Sequence, residues 1–113
     1  MDKKVLYSAV VLSDKSRTEL LKKIENKIPE GWDIILHHMT ICLGELPENL
    51  KIDIGKQVKL KIIGVGRDDM AMAFKVDGYY SNNKIKHITI AINRKNGAKP
   101  VMSNNIKQWY EFD

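Results

Sequence analysis

Two stretches of the chain carry one pattern, His38-Met39-Thr40-Ile41 and His87-Ile88-Thr89-Ile90. Each lies in an apolar run of period two, and in a strand residues i and i+2 share a face. Each histidine therefore projects with its own threonine, while Met39 or Ile88 goes to the opposite side. If the two strands are neighbours, two imidazoles and two hydroxyls converge. An imidazole, with an unperturbed pKa of about 6.5, can accept or donate a proton at neutral pH. Two of them on opposite sides of one phosphorus supply a base for the attacking oxygen and an acid for the leaving oxygen, and no metal is required. The threonine hydroxyls can donate to the non-bridging oxygens, where charge must be stabilised in the transition state.

A single His-x-Thr is more simply a packed or surface pair. With three Thr among 113 residues, two such hits among three His arise by chance on the order of once in several hundred sequences. Both also fall at the same phase of separate apolar strands, which random scatter does not favour. His37 precedes the first tetrad, and alternation assigns it to the face opposite His38, as a core or supporting residue. No carboxylate or thiolate stands at ligand spacing beside either tetrad, so neither a metal nor another cofactor is expected.

Stepping along the chain, Val5 to Leu12 reads as a strand buried on both faces. Ser16 stands three residues before Glu19 as a capping box, and Leu20, Leu21, Ile24 and Ile28 follow at helical spacing up to Pro29 and Gly31. Trp32 to Leu43 reads as one strand, and Gly44 to Gly55 as a loop with a helical turn around Glu48 to Leu50. Val58, Leu60 and Ile62 alternate with lysines as far as Gly64-Val65-Gly66, which suits a bulge or turn. Met70, Met72, Phe74 and Val76 alternate again after the hairpin dipeptide Asp68-Asp69. Asp77 to Asn83 is turn-rich, Ile85 to Ile92 is a strand, and Asn93 to Ser103 is a polar loop. Asn104 to Phe112 suits a short helix or a last edge strand equally. The expectation is a single α+β domain, residues 1–113, with an antiparallel or mixed sheet of five to six strands and one main helix.

Lys and Arg number 19 against 14 Asp and Glu, for a net charge of +5. That balance suits an anionic partner, and a solvated basic face equally. No stretch approaches the roughly 20 apolar residues of a membrane span, and the N-terminal apolar run meets Asp14-Lys15 with no small-residue cleavage site. The lone Cys42 makes no internal disulfide, so the expected setting is the cytosol, without a membrane. Tyr79, Tyr80, Trp109 and Tyr110 could stack on a base, or serve as core and rim. Lys86 and Arg67 could meet phosphate, or stand as solvated edge charges.

The paired His-x-Thr-apolar tetrads, one after a strand–helix–strand opening and one towards the C-terminus, resemble the two-histidine (2H) phosphoesterase superfamily. The stretches Val10-Val11-Leu12-Ser13-Asp14-Lys15-Ser16-Arg17 and Lys99-Pro100-Val101-Met102-Ser103-Asn104 are similar to its small RNA-repair branch. Small members that destroy cyclic nucleotide signals are further kin of this kind. The resemblance implies a compact 2H-type fold with His38, Thr40, His87 and Thr89 as the catalytic set. It adds Ser103 to Tyr79, Tyr80 and Lys86 as candidate substrate-binding residues. It implies metal-independent hydrolysis of 2′,3′-cyclic phosphates, 2′-linked phosphodiesters or related cyclic nucleotides, with an RNA end or nucleotide as partner of a monomer. Larger members have two similar lobes, whereas no helical pattern lies between Leu50 and His87, which implies a reduced second lobe and a more open cleft. A non-catalytic RNA- or nucleotide-binding module, and a fold that has lost activity, are the alternatives.

Overall fold

The alternating apolar runs become the strands of one sheet. In a computed structural model, which describes residues 7–112, these are β1 (Tyr7–Val11), β2 (Asp33–Ile34), β3 (His38–Leu43), β4 (Lys61–Arg67), β5 (Ala71–Asp77), β6 (His87–Ile92) and β7 (Trp109–Glu111). A single α-helix, α1 (Asp14–Ile24), accompanies them among the described residues. The order across the sheet is β1-β3-β6-β5-β4-β7, with β2 beside β6, and every pairing is antiparallel. No helix of the described residues is long and apolar enough to cross a membrane.

Seven strands replace the expected five to six for two reasons. First, Trp32 to Leu43 is not one strand. Between the cross-strand pairs Ile34–Ala91 and Met39–Ile88, the four residues Ile35, Leu36, His37 and His38 stand against only Thr89 and Ile90. The excess is absorbed at Leu36, which holds the left-handed φ of 39° that a side chain resists. Its neighbours sustain the kink. Leu36 N–H donates to the Thr89 carbonyl at 2.9 Å, the Arg17 Nε of α1 donates to the Leu36 carbonyl at 3.1 Å, and Leu12 N–H donates to the His37 carbonyl at 2.8 Å. Second, of the two alternatives for Asn104 to Phe112 the edge strand is present, as β7, while a 3-10 turn over Pro100–Asn105 lies mostly within the segment expected to be a polar loop.

Three local expectations change as well. The helix starts a turn early: Ser13 keeps an extended backbone and its hydroxyl accepts from Ser16 N–H at 3.2 Å, so Ser13 rather than Ser16 is the cap. At the other end Ile28 is already extended, as the residue before a proline prefers, and Gly31 turns the chain with φ 84°. β1 is an edge strand, so Ser8, Ala9 and Val10 are only half-buried and Val11 is exposed, while Val5 and Leu6 lie outside the described residues. Gly64-Val65-Gly66 does not end a strand but runs inside β4, with a register shift between Ile62 and Gly64. Closeness of β7 requires these glycines: a Cβ on Gly64 would stand 2.6 Å from the Tyr110 carbonyl oxygen, and one on Gly66 would stand 2.6 Å from Trp109 Cε3.

The sheet buries its two faces differently. Met39, Ile41, Phe74, Val76, Ile88 and Ile90 pack on one face against Ile24, Leu20 and Leu21 of α1. Ala71, Ala73 and Ile92 pack on the other against Ala98, Ile106, Met102 and Trp109 of the C-terminal segment. That segment covers one end of its face and leaves the rest to the tetrads. Gly66→Ala is expected to cost about 1–3 kcal/mol by overpacking against Trp109 and Ile106. Urea unfolding checks this; an unchanged midpoint would mean that the indole does not lie on Gly66.

Candidate functional site

β3 and β6 meet through one register pair, Met39 opposite Ile88, and both residues are fully buried on the helix-covered face. An antiparallel ladder continued from that pair sets His38 opposite Thr89 and Thr40 opposite His87, all four on the other face. The two histidines then stand on a diagonal of about 7–8 Å between backbones, a span that fits one tetrahedral phosphate between the rings. The His87 charge opposes protonation of His38, as this nearness requires. The row through His87 continues to Lys75 of β5, and that through Thr89 to Ala73.

The two imidazoles are held differently. His87 is 7% exposed, with its Nδ1–H donating to the Ile85 carbonyl at 2.8 Å. A carbonyl only accepts, so the proton sits on Nδ1 and the Nε2 lone pair is left for chemistry. The Trp109 indole lies beside the same ring in a tilted contact, centroids 6.3 Å apart and planes at 39°. Burial pushes the His87 pKa below the ordinary imidazole value, against the opposing pull of the Ile85 carbonyl. His38 is half-buried and is also held low, by burial first and then by the charges of His37 and His87.

His37 does not occupy the opposite face. It is exposed, and its Nδ1 lies 2.9 Å from His38 Nδ1, with ring centroids 5.1 Å apart. Strand alternation fails to describe it because β3 begins only at His38, directly after the kink at Leu36. One of the two Nδ1 atoms must carry the shared proton, so the tautomers of His37 and His38 are coupled.

The threonines differ too. The Thr40 hydroxyl has no protein partner among the described residues, whereas Thr89 is 9% exposed and its Oγ1 donates to the Pro100 carbonyl at 3.3 Å. Ser103, fully buried, then donates to Thr89 Oγ1 at 2.8 Å. Ser103 therefore belongs to the site through its bond to Thr89. Tyr79 packs with the helix-side core and its hydroxyl donates to Asp53 at 2.9 Å, away from the tetrads. Lys86 stands one residue out of phase with His87 and pairs with Asp77 at 3.0 Å. Tyr80 is exposed in the loop before β6. The structure thus gathers His38, Thr40, His87, Thr89 and Ser103, and leaves Tyr79 and Lys86 elsewhere.

Lys75 was missed by the sequence reasoning. It lies on the tetrad face opposite His87 and pairs with Glu111, whose carboxyl it holds below the usual range. Its signal was available: it is the one charge inside Met72-Ala73-Phe74-Lys75-Val76, out of phase with the core positions Met72, Phe74 and Val76. Among the described residues no group of three or more His, Cys, Asp and Glu could hold a metal ion. The chain matches no family model, no curated protein and no solved structure.

Both imidazoles are harder to protonate folded than unfolded, so the unfolded chain takes up more protons once the pH falls below its histidine pKa of about 6.5. Stability present above that pH is then lost as pH descends towards the lowered folded values. Urea midpoints should fall on acidification from about pH 7 to about pH 5, and fall less in His87→Gln; equal slopes in the two proteins would refute the assignment. In His37→Ala, one of the charges opposing His38 is gone, and the NMR titration of His38 should move to higher pH. No movement would mean that the two rings are uncoupled.

Proposed function

We propose that the protein is a metal-independent phosphodiesterase of the 2H type, with a 2H-type fold, acting on 2′,3′-cyclic phosphates or related 2′-linked and cyclic phosphodiesters of RNA ends or nucleotides. One observation supports this reading, the register pair Met39–Ile88: an antiparallel ladder continued from it has both His-x-Thr pairs on one sheet face and the histidines on a diagonal of about 7–8 Å. His87 starts as the base, because the Ile85 carbonyl pins its proton to Nδ1 and burial keeps Nε2 free of a second. It takes a proton from water as the water oxygen bonds to phosphorus. His38, the less buried of the two and free of the His87 charge while His87 is neutral, is the one that carries a proton; it gives that proton to the ribose oxygen as that P–O bond breaks, and the product is a phosphomonoester. Thr40 donates to a non-bridging oxygen. Thr89, tied to Pro100 and Ser103, chiefly fixes the C-terminal segment beside the site.

Incubation of a nucleoside 2′,3′-cyclic phosphate with excess chelator is expected to yield the ring-opened monophosphate, at a rate bell-shaped in pH. His38→Ala and His87→Ala should each lower kcat by about 10²–10⁴-fold. Thr40→Ala removes one donor and should cost less than either. Binding without turnover on every cyclic or 2′-linked substrate would favour the nucleotide-binding module instead. Near-full activity in either histidine variant would end the two-histidine mechanism.

A further inference from the structure

Beside His87 runs a groove of about 690 Å³, lined by Lys84, Ile85, Ser103, Asn105, Lys107 and Trp109 among others. Its volume falls within the range of small-ligand sites, roughly 300–1,000 Å³. Three lining residues each hold part of the second tetrad. The Ile85 carbonyl holds His87 Nδ1, Trp109 lies beside the His87 ring, and Ser103 is bonded to Thr89. The groove therefore adjoins the second tetrad through these three residues, while the tetrad side chains themselves do not line it.

Its chemistry is that of a nucleotide seat. Trp109 spends its one N–H on the Ile106 carbonyl at 3.1 Å and lies with one ring face on Gly66, so what it offers a ligand is the opposite face. Bases stack on such faces whatever their identity. Lys84 and Lys107 are exposed, and neither is in an ion pair among the described residues. A second depression, lined by Pro29, Trp32, Arg67, Asp68, Asp69, Asn93 and Asn96, also has an indole. Its lining holds two carboxylates against one guanidinium, which does not suit an anion. The two lysines of the groove decide the substrate. A mononucleoside 2′,3′-cyclic phosphate has a single phosphate, which the histidines would take. Cations further along have a use only if the substrate carries another.

Resting on the phosphodiesterase reading above, we propose that this groove seats the adjoining nucleotide of a single strand, its base on Trp109 and its phosphate between Lys84 and Lys107. The preferred substrate is then an RNA end of two or more nucleotides. The test compares uridine 2′,3′-cyclic phosphate with a dinucleotide and a tetranucleotide ending in the same group. The longer substrates should show kcat/KM at least about tenfold higher. In Lys84→Ala/Lys107→Ala that ratio should fall towards one, with a weaker dependence of oligonucleotide turnover on salt. Equal kcat/KM for all three, or a ratio untouched in the lysine variant, overturns the proposal.

Binding is read separately in His38→Ala/His87→Ala/Trp32→Phe, which leaves Trp109 as the sole tryptophan. A dinucleotide 3′-phosphate should quench its fluorescence. Quenching by the dinucleotide, with no hydrolysis of any cyclic substrate by the unaltered protein, would uphold the groove and fail the catalytic reading. Hydrolysis without quenching would do the reverse. A cyclic dinucleotide that quenches at lower concentration than the linear one would also count against a strand.

Discussion

The site depends on the register of one cross-strand pair. β1 and β3 form one part of the sheet, β6, β5, β4 and β7 the other, and Met39 opposite Ile88 is where they are joined. Both residues are fully buried beneath α1. A slip of one residue would turn His38 and Thr40 into the core and Met39 to water, so the hydrophobic effect that holds Met39 inside also holds His38 outside. The kink at Leu36 feeds β3 into that register. Its strained φ is sustained because Arg17, Leu12 and Thr89 each hold a backbone group of the turn. Helix α1 thus acts twice, through the apolar residues that cover Met39 and through the one guanidinium that reaches the Leu36 carbonyl.

Much of this was legible in the residues, because period two survives wherever one face of a strand is buried. β5 and β6 lie where Met70 to Val76 and Ile85 to Ile92 place them, and the tetrads keep the phase that spacing assigned. What was illegible is what breaks periodicity. Nothing in Ile34-Ile35-Leu36-His37 announces a left-handed leucine, since the kink is imposed by groups distant in sequence, and with it goes the placement of His37. β7 is three residues long, too short to show a period, and Gly64 and Gly66 read as a turn until β7 is known to press upon them. Ser13 and Ser16 are both competent caps, and the earlier one prevails because the chain is still extended there.

The two faces of the sheet explain why the histidines resist protonation without being lost in the core. The C-terminal segment covers the tetrad face most closely at Thr89, where Ser103 and Pro100 meet the threonine hydroxyl. A hydroxyl in that position would be costly to leave unbonded, by about 1–3 kcal/mol, and Pro100 and Ser103 both bond it. Beyond it, His87 is flanked by one indole and His38 is half open. The gradient in cover separates the roles of two identical side chains. The more buried imidazole has a fixed tautomer, and the less buried one has a second imidazole to share a proton with.

Charge follows the same geometry. Cations on the tetrad face that lie near carboxylates are neutralised, as Lys75 is by Glu111, and Lys86 is drawn to Asp77 on the other side of the strand. The net charge of +5 says nothing about where an anion would bind, because most of it is dispersed over exposed strand and helix positions. A local surplus arises where lysines border a concavity without carboxylates, and that condition is met beside His87. An anion drawn there meets a field screened over about 8–10 Å at physiological salt, comparable to the reach between neighbouring phosphates of a strand. Attraction at that range can position one end of a flexible chain while the imidazoles act on the other, so the asymmetry of the fold, covered at Thr89 and open at His38, gives the face a direction.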